Sequence, residues 1–178
     1  MIVTPKKNLG QHFLINKEIS SNIVNSLCPD KSIHIIEVGP GIGALTQFLI
    51  KKTNPLTLIE IDEESIIFLK EKFPQTKVIH TDFLKLEFDT LQLNKCSIIG
   101  NFPYNISSQI LFKIIENRHI MVETIGMFQK EVAERICSKP KSKKYGILSV
   151  LTQAYFKCEY LFEVSPNNFH PKPKVDSA

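Results

Sequence analysis

The stretch Ile33-His-Ile-Ile-Glu-Val-Gly-Pro-Gly-Ile-Gly43 decides the fold of this chain. Its first part, Ile33–Val38, is mostly apolar and β-branched, which predicts a buried strand. The glycines that follow allow a tight turn whose backbone can approach a ligand, and a helix is predicted directly behind them, at Ala44–Lys51. A strand, a glycine-rich turn and a helix in this order indicate a cofactor-binding loop.

Strands and helices alternate through the rest of the sequence. A helix is predicted from Glu18; beyond the loop, strands are predicted at Leu56–Ile61, Lys77–Thr81, Cys96–Gly100, Glu123–Phe128 and near Tyr160–Val164, and helices at Glu63–Lys72, Ser107–Asn117, Lys130–Cys137 and Ile147–Phe156. This alternation predicts an α/β fold with a doubly wound, Rossmann-like parallel sheet, which binds ligands at the carboxyl ends of its strands. No repeat or linker interrupts the pattern, so residues 1–178 are expected to form one domain.

The composition excludes several classes of protein. With 43% hydrophobic residues, the chain can bury one substantial core and does not belong to the disordered or fibrous classes. The segment Met1–Leu14 contains Lys6 and Lys7 but no apolar stretch, so we expect no signal peptide, no membrane contact and a cytoplasmic location. The four cysteines form no C-x-x-C pair and the five histidines show no ligand spacing, so no metal is expected. We expect a monomer.

Positive charge is concentrated toward the two ends of the sequence. Residues 1–36 hold four lysines against two acidic residues, and residues 130–178 hold nine lysines and arginines against five acidic residues. The densest group lies in one predicted loop and consists of Lys139, Lys141, Lys143 and Lys144. This distribution suits a nucleic acid bound across one face, but a solvated, lysine-rich surface would give the same pattern.

Carboxylates at two predicted strand ends bear on the identity of the cofactor. The positions Gly39, Gly41 and Ala44 also fit the spacing of a dinucleotide-binding loop. Glu60 lies 21 residues beyond Gly39, where a carboxylate can accept hydrogen bonds from ribose hydroxyls in NAD enzymes and S-adenosylmethionine enzymes alike. Asp82, at the end of the third strand, could bind an adenine amine, which favours S-adenosylmethionine. The alternative for Asp82 is a cap of the turn before Phe83. Asp62 is expected to cap a helix.

The residues Asn101-Phe-Pro-Tyr104 follow a strand predicted to be buried. An amide, an apolar residue, a proline that fixes the backbone and an aromatic ring can together hold a flat ring that carries an amine. This combination suits methylation of a base nitrogen. Ser107 is predicted to be the N-cap of the next helix.

Six motifs, in order, show that the chain resembles the KsgA-type family of small-subunit ribosomal RNA adenine N6,N6-dimethyltransferases. They are Asn8–Leu14, Glu37–Gly43, Asn101–Ser107, Phe128–Arg135, Tyr145–Val150 and Phe169–Ala178. Phe102 departs from the family, in which leucine is commoner. The resemblance implies that S-adenosylmethionine is the cofactor and that it is contacted by His12, Leu14, Gly39, Glu60, Asp82 and Asn101, beside Gly41 of the loop.

The resemblance further implies dimethylation of two adjacent adenosines near the 3′ end of small-subunit rRNA, inside a ribosomal particle. The side-chain oxygen of Asn101 and the carbonyl of Phe102 would accept the two N6 hydrogens and direct the nitrogen lone pair at the sulfonium methyl. Pro103 would stiffen the turn, Tyr104 would stack on the adenine, and Phe169 would cover its other face. The residues alone also allow simple core packing for Tyr104 and Phe169.

Three alternatives remain open. One is a large-subunit rRNA adenine N6-methyltransferase, which has the same loop and catalytic residues. The second is a non-catalytic, nucleic-acid-binding assembly factor with a methyltransferase fold, which would not need the Asn101 amide. The third is an NAD-dependent oxidoreductase, which would leave residues Asn101–Tyr104 unexplained.

Members of this family continue beyond the motif that ends at Ala178 with an antiparallel strand and a small helical domain. The resemblance therefore implies that residues 1–178 form the catalytic domain, with residues 1–30 as a segment that contacts cofactor and RNA, and without the helical domain. The last strand of the family lies between the fifth and sixth strands. We expect the sheet to be incomplete at that position, or the sixth strand to shift into it.

Overall fold

A five-stranded parallel sheet forms the centre of the computed structural model, which describes residues 3–178; Met1 and Ile2 of the predicted N-terminal segment lie outside the described residues. After a two-residue strand β1 (Phe13–Leu14), the sheet strands are β2 (His34–Val38), β3 (Leu56–Glu60), β4 (Lys77–His80), β5 (Cys96–Asn101) and β6 (Met121–Met127). Their order is β4-β3-β2-β5-β6, and all neighbours are parallel. The predicted α/β class with a Rossmann-like sheet is confirmed.

Helices cover both faces of this sheet. They are α1 (Lys17–Asn25), α2 (Thr46–Leu49), α3 (Glu63–Lys72), α4 (Ser107–Glu116), α5 (Lys130–Ile136) and α6 (Ile147–Gln153). In β2, Ile35 packs in the apolar cluster that contains residues of α1 and α2, whereas Ile36 packs in the cluster that contains residues of α4 and α5. Because both faces are buried, the central strands are mostly apolar, which made them easy to predict.

The predicted sixth strand at Tyr160–Val164 is wrong. Within this segment of the described chain, only Val164 forms a β-bridge, an isolated antiparallel one to Ser177. The aromatic and apolar residues Tyr160, Phe162 and Val164 alternate with exposed residues such as Leu161, as they would in a strand. The segment nevertheless does not pair with β6. Between them runs an apolar groove lined by residues of β6 and of the segment 156–162. The sheet is therefore open beside β6, at the predicted place.

The segment 176–178 lies at one end of this groove and joins its two sides. On one side, Ala178 and Phe128 exchange two backbone hydrogen bonds of 2.9 and 2.8 Å. On the other side, Ser177 and Val164 exchange two backbone hydrogen bonds of 3.0 and 2.8 Å. Ser177 is therefore fixed between β6 and the segment that follows α6.

A second, two-stranded sheet was not predicted. In it, β1 pairs antiparallel with β7 (Phe169–His170), and Leu14 lies opposite Phe169. Two-residue strands leave no periodic pattern in a sequence, which explains why they were missed. This small sheet ties the residues before α1 to those after α6.

Candidate active site

A cavity of about 270 Å³ opens at the carboxyl ends of β2, β3 and β5. The chain continues from β2 to β3 on one side of the sheet and returns to β5 on the other, so the cavity lies where the strand order reverses. The predicted site residues that line it are His12, Gly39, Gly41, Glu60, Asp82, Asn101, Phe102, Pro103 and Tyr104. Two others, Leu14 and Phe169, are absent from its lining.

The glycine loop forms the floor of the cavity. Gly39 and Gly41 have φ angles of +66° and +54°, which are strained for other residues. Gly41 is also restricted by its surroundings, because a Cβ atom there would lie 2.8 Å from Cε1 of Phe13. The loop backbone is thus packed against the N-terminal segment, and it can approach a ligand closely.

Glu60 ends β3 as a buried carboxyl group, 4% exposed. Its Oε1 accepts hydrogen bonds from the backbone amides of Ile61 and Asp62, and its Oε2 accepts one of 2.9 Å from Gly41. Burial raises the pKa of Glu60, and these three amides oppose the rise. A carboxylate has about four acceptor positions, so one remains for an incoming hydroxyl group.

Asp82 serves as a cap, the alternative that the sequence left open. Its Oδ1 accepts a hydrogen bond of 2.9 Å from the amide of Leu84 and so caps the 3₁₀ helix Phe83–Lys85. The other carboxylate oxygen accepts no hydrogen bond from the described residues and belongs to a residue that lines the cavity. The cap and a contact with a ligand amine are therefore compatible. Asp62 caps α3, as predicted.

Asn101, at the end of β5, is oriented by the N-terminal segment. Its Nδ2 donates a hydrogen bond of 2.9 Å to the backbone carbonyl of His12. Because that carbonyl can only accept, the side-chain oxygen of Asn101 is the free end of the amide. Neither this oxygen nor the carbonyl of Phe102 accepts a hydrogen bond from the described residues. Two acceptors therefore remain available side by side.

Phe102 anchors the segment that carries these acceptors. Its ring is 1% exposed and packs edge-on against the ring of Phe128, at a centroid distance of 5.2 Å. Its amide donates a hydrogen bond of 3.2 Å to the carbonyl of Met127.

The predicted cap at Ser107 is wrong, because Ile106 occupies the N-cap position of α4 and the Ser107 hydroxyl instead donates to the carbonyl of Tyr104.

The ring of Tyr104 is held at its tip and on one face. Its hydroxyl shares a hydrogen bond of 2.5 Å with Oγ of Ser177, and the ring of His12 stacks on it at 5.4 Å and 25°. Burial raises the pKa of Tyr104, and the contact with Ser177 opposes this rise. His12 is held in turn through Nδ1, which donates to the carbonyl of Pro171 at 2.7 Å.

Leu14 and Phe169 lie in the core, where they face each other between β1 and β7. They are 2% and 3% exposed, respectively. The ring of Phe169 therefore does not reach the cavity in this structure, and its expected place on the second face of the adenine stays a prediction. To stack on a base, this ring would have to leave the core.

Lys6 and Gln11 were missed by the sequence analysis. Lys6 forms an ion pair with Asp62 and a second one, of 3.2 Å, with Glu64. The Gln11 amide donates to Asp62 at 3.3 Å. Burial alone would raise the pKa of Asp62, but the hydrogen bonds from Lys6, Ser65 and Gln11 hold it below its usual value. Nothing in the sequence pairs position 6 with position 62.

Among residues 3–178, no group of three or more histidine, cysteine or acidic side chains is arranged to hold a metal ion. No helix in this range is long and apolar enough to cross a membrane.

The profile of a family described as ribosomal RNA adenine dimethylase matches residues 2–178. The chain belongs to this family. A curated relative in Parabacteroides distasonis, named ribosomal RNA small subunit methyltransferase A, is 50% identical over 99% of this chain and 67% of its own length. The protein of the same name in Cytophaga hutchinsonii is 51% identical over 98% of this chain and 69% of its own length.

Solved structures of rRNA-modifying enzymes resemble this member of the dimethylase family. A dimethyladenosine transferase from Plasmodium falciparum gives a TM-score of 0.83 at 30% identity, over 93% of this chain and 61% of that one. The 23S rRNA methyltransferase ErmE gives a TM-score of 0.79 at 29% identity, over 93% of this chain and 67% of that one. The chain thus spans about two thirds of the length of these relatives.

These matches confirm the predicted rRNA adenine dimethylase family, its methyltransferase chemistry and S-adenosylmethionine as its methyl donor.

Proposed function

We propose that this chain is the catalytic domain of an enzyme that methylates N6 of two adjacent adenosines near the 3′ end of small-subunit rRNA, within a ribosomal particle. The observation that carries the proposal is the orientation of Asn101, whose amide is turned by the carbonyl of His12 so that its oxygen is free beside the free carbonyl of Phe102. Adenine presents two hydrogens on N6, which match two acceptors.

The cavity offers suitable partners for S-adenosylmethionine. The free acceptor position of Glu60 suits a ribose hydroxyl, the free oxygen of Asp82 suits the adenine amine, and the backbone at Gly39 and Gly41 allows close approach. His12 and Asn101 line the same cavity, whereas Leu14 supports it from the core. The cofactor supplies an electrophilic methyl group on a positively charged sulfur.

The residues of the chain have to make the N6 nitrogen of adenine, a weak nucleophile, reactive. The N6 lone pair of adenine is delocalised into the ring, so the nitrogen attacks poorly. Hydrogen bonds from N6 to the oxygens of Asn101 and Phe102 would draw the nitrogen toward a tetrahedral arrangement and direct its lone pair. Pro103 fixes the backbone between these acceptors and Tyr104, whose ring would stack on the base.

We also propose that the protein acts in the cytoplasm, as a monomer and without a metal. The methyl group of S-adenosylmethionine is already activated, so its transfer needs no Lewis acid. The basic residues toward both ends of the sequence would contact the phosphates of the rRNA.

The test is transfer of labelled methyl groups from S-adenosylmethionine to small ribosomal subunits that lack the modification, followed by nucleoside analysis. We expect label in N6,N6-dimethyladenosine, and Asn101→Ala should reduce it by at least about 100-fold because it removes one N6 acceptor. The control Asn94→Ala removes an exposed amide just before β5, at the opposite end of that strand from Asn101 and outside the cavity lining, and it should leave the rate unchanged.

Cofactor binding, measured by calorimetry, separates the outcomes. Label that appears only with large subunits would overturn the proposed substrate. A wild-type chain that binds cofactor but transfers no label to either subunit would overturn the proposed activity of this chain.

A further inference from the structure

We infer that Ser177 is a positioning residue that fixes the direction in which the Tyr104 side chain points, and so places its ring for the incoming adenine. This inference rests on the proposed function, in which Tyr104 stacks on the base. The two hydroxyl oxygens lie 2.5 Å apart, although the residues are 73 positions apart in the sequence. Neither the motifs nor the family comparison assigns a role to this serine.

Ser177 can act as a fixed point because its own position is rigid. It is fully buried, at 0% exposure. Its backbone exchanges two hydrogen bonds with Val164, while the neighbouring residues Asp176 and Ala178 pair with Lys130 and Phe128. The backbone of Ser177 is thus held from both sides, and a single torsion angle, χ1, separates the hydroxyl from it.

Tyr104 needs such a fixed point because its position decides the geometry of stacking. A tyrosine side chain rotates about two torsion angles, χ1 and χ2. The hydrogen bond at the phenol tip restrains the direction of the ring, and the stacked imidazole of His12 restrains its tilt. A base that stacks on a ring already held in place loses less entropy on binding than one that must also order the ring.

The hydrogen bond also links the site to the open edge of the sheet. Ser177 bridges Val164 and Gln129 beside the groove along β6, and its hydroxyl reaches the catalytic segment. The tyrosine therefore stays aligned only while the segment 176–178 remains seated against β6.

The experiment is a double-mutant cycle with Ser177→Ala and Tyr104→Phe, assayed with small subunits. We expect Ser177→Ala to lower kcat/KM for the rRNA substrate by about tenfold, as for a lost buried hydrogen bond, with the Kd for the cofactor unchanged. In the Tyr104→Phe background, which already lacks the phenol hydroxyl, Ser177→Ala should cause no further loss.

Ser149→Ala is the matched control, because Ser149 is also fully buried and donates its hydroxyl proton to the carbonyl of Arg135, but it lies outside the cavity lining. It should lower Tm while leaving kcat/KM unchanged. An equal loss of kcat/KM from Ser177→Ala in both Tyr104 backgrounds, or a similar loss in the control, would overturn the inference.

A readout without catalysis separates this inference from the proposed function. The chain has four tyrosines, so ¹⁹F spectra of fluorotyrosine-labelled protein can be assigned by substitution. Ser177→Ala should shift and broaden the Tyr104 resonance, and Ser149→Ala should not. An unchanged Tyr104 resonance would contradict the positioning role even if the wild-type chain transfers no methyl groups.

Discussion

Glu37 is 1% exposed and lies within β2, next to the glycine loop. Its Oε2 accepts a hydrogen bond of 2.6 Å from the hydroxyl of Thr46. Burial raises the pKa of this carboxyl group to about 8, the charge of Glu60 adds to the rise, and the bond from Thr46 opposes it. The folded cofactor-free protein therefore keeps a proton on Glu37 at neutral pH.

This proton makes the stability of the protein depend on pH. In the unfolded chain Glu37 ionises near pH 4.5, whereas in the folded chain it ionises near pH 8. Between these values unfolding releases a proton, so the free energy of unfolding contributed by Glu37 falls as pH rises, by up to about 1.4 kcal/mol per pH unit. Glu37→Gln should remove this slope.

Urea unfolding at pH 5 to 9, without cofactor, measures the effect. Glu71→Gln, which changes an exposed carboxylate on α3, should keep the slope of the wild type. An identical slope in Glu37→Gln and the wild type would show that Glu37 is ionised in the folded state.

Individual site residues were predictable where they follow a strand end. Glu60 is the last residue of β3 and Asn101 is the last residue of β5, and these two strands flank β2 in the parallel sheet. The carboxyl ends of parallel strands lie at the same edge of a sheet, so these side chains are expected to lie close together. The contact between Tyr104 and Ser177 could not be predicted, because it depends on how the segment after α6 folds back. Core packing of Phe169 was one of two possibilities that the sequence left open, and it could not be decided there because it follows from pairing between β1 and β7.

Among the structural elements, the N-terminal strap, defined as residues 6–14, connects most directly to the cofactor cavity. It is tied to the start of α3 by Lys6 and Gln11, which both contact Asp62, and to β5 by the bond between His12 and Asn101. Asp62 in turn donates its amide to Glu60. The strap and the carboxylate proposed to bind ribose thus share one anchor.

Lys6→Met should loosen the strap at its first residue. Because the Lys6 side chain is partly exposed, the effect is expected to be modest, an increase of about two- to fivefold in the Kd for S-adenosylmethionine. The rate of methyl transfer at saturating cofactor should not change, since Asn101 keeps its partner. Calorimetry and steady-state kinetics measure the two quantities.

Lys157→Met is the control for the strap. It breaks the ion pair with Glu159, which is exposed and lies outside the cavity lining, so the Kd for the cofactor should stay the same. If Lys6→Met also leaves this Kd unchanged, the strap is held by its other contacts.

The regular elements were largely predictable from apolar periodicity, with α3 predicted at its observed bounds. Helix α2 is shorter than predicted because residues on both sides of Thr46–Leu49 form turns. The segment Tyr160–Val164 misled the prediction since alternation reports a buried face and not the presence of a neighbouring strand.

For the molecule as a whole, the open edge beside β6 should be visible in hydrogen exchange. The amides of residues 157–163 donate no backbone hydrogen bond within the described part of the chain, whereas Val164 donates one of 2.8 Å to Ser177. Amides of Ile36 and Ile99 lie in the fully buried centre of the sheet and should exchange only by global unfolding.

We therefore expect fast exchange at residues 157–163, intermediate protection at Val164 and the slowest exchange in β2 and β5. The Val164 amide serves as an internal reference, because it directly follows these residues but donates a backbone hydrogen bond to Ser177. Protection of residues 160–163 equal to that of β2 would mean that this segment pairs with β6 in solution.

The packing of Phe102 also constrains how this protein can evolve. Its ring lies against Gly100 and Gly126, which are register partners across β5 and β6. A Cβ atom at Gly126 would lie 2.4 Å from Phe102 and 2.5 Å from Phe128, and one at Gly100 would lie 2.6 Å from Phe102. A substitution at position 126 therefore has to follow other changes, whereas one at position 100 is also blocked by the backbone carbonyl of Val38. A lineage must replace the ring at position 102 by a smaller side chain, and make room at Phe128, before position 126 can acquire one. Aligned relatives should show glycine at 126 wherever phenylalanine occupies 102.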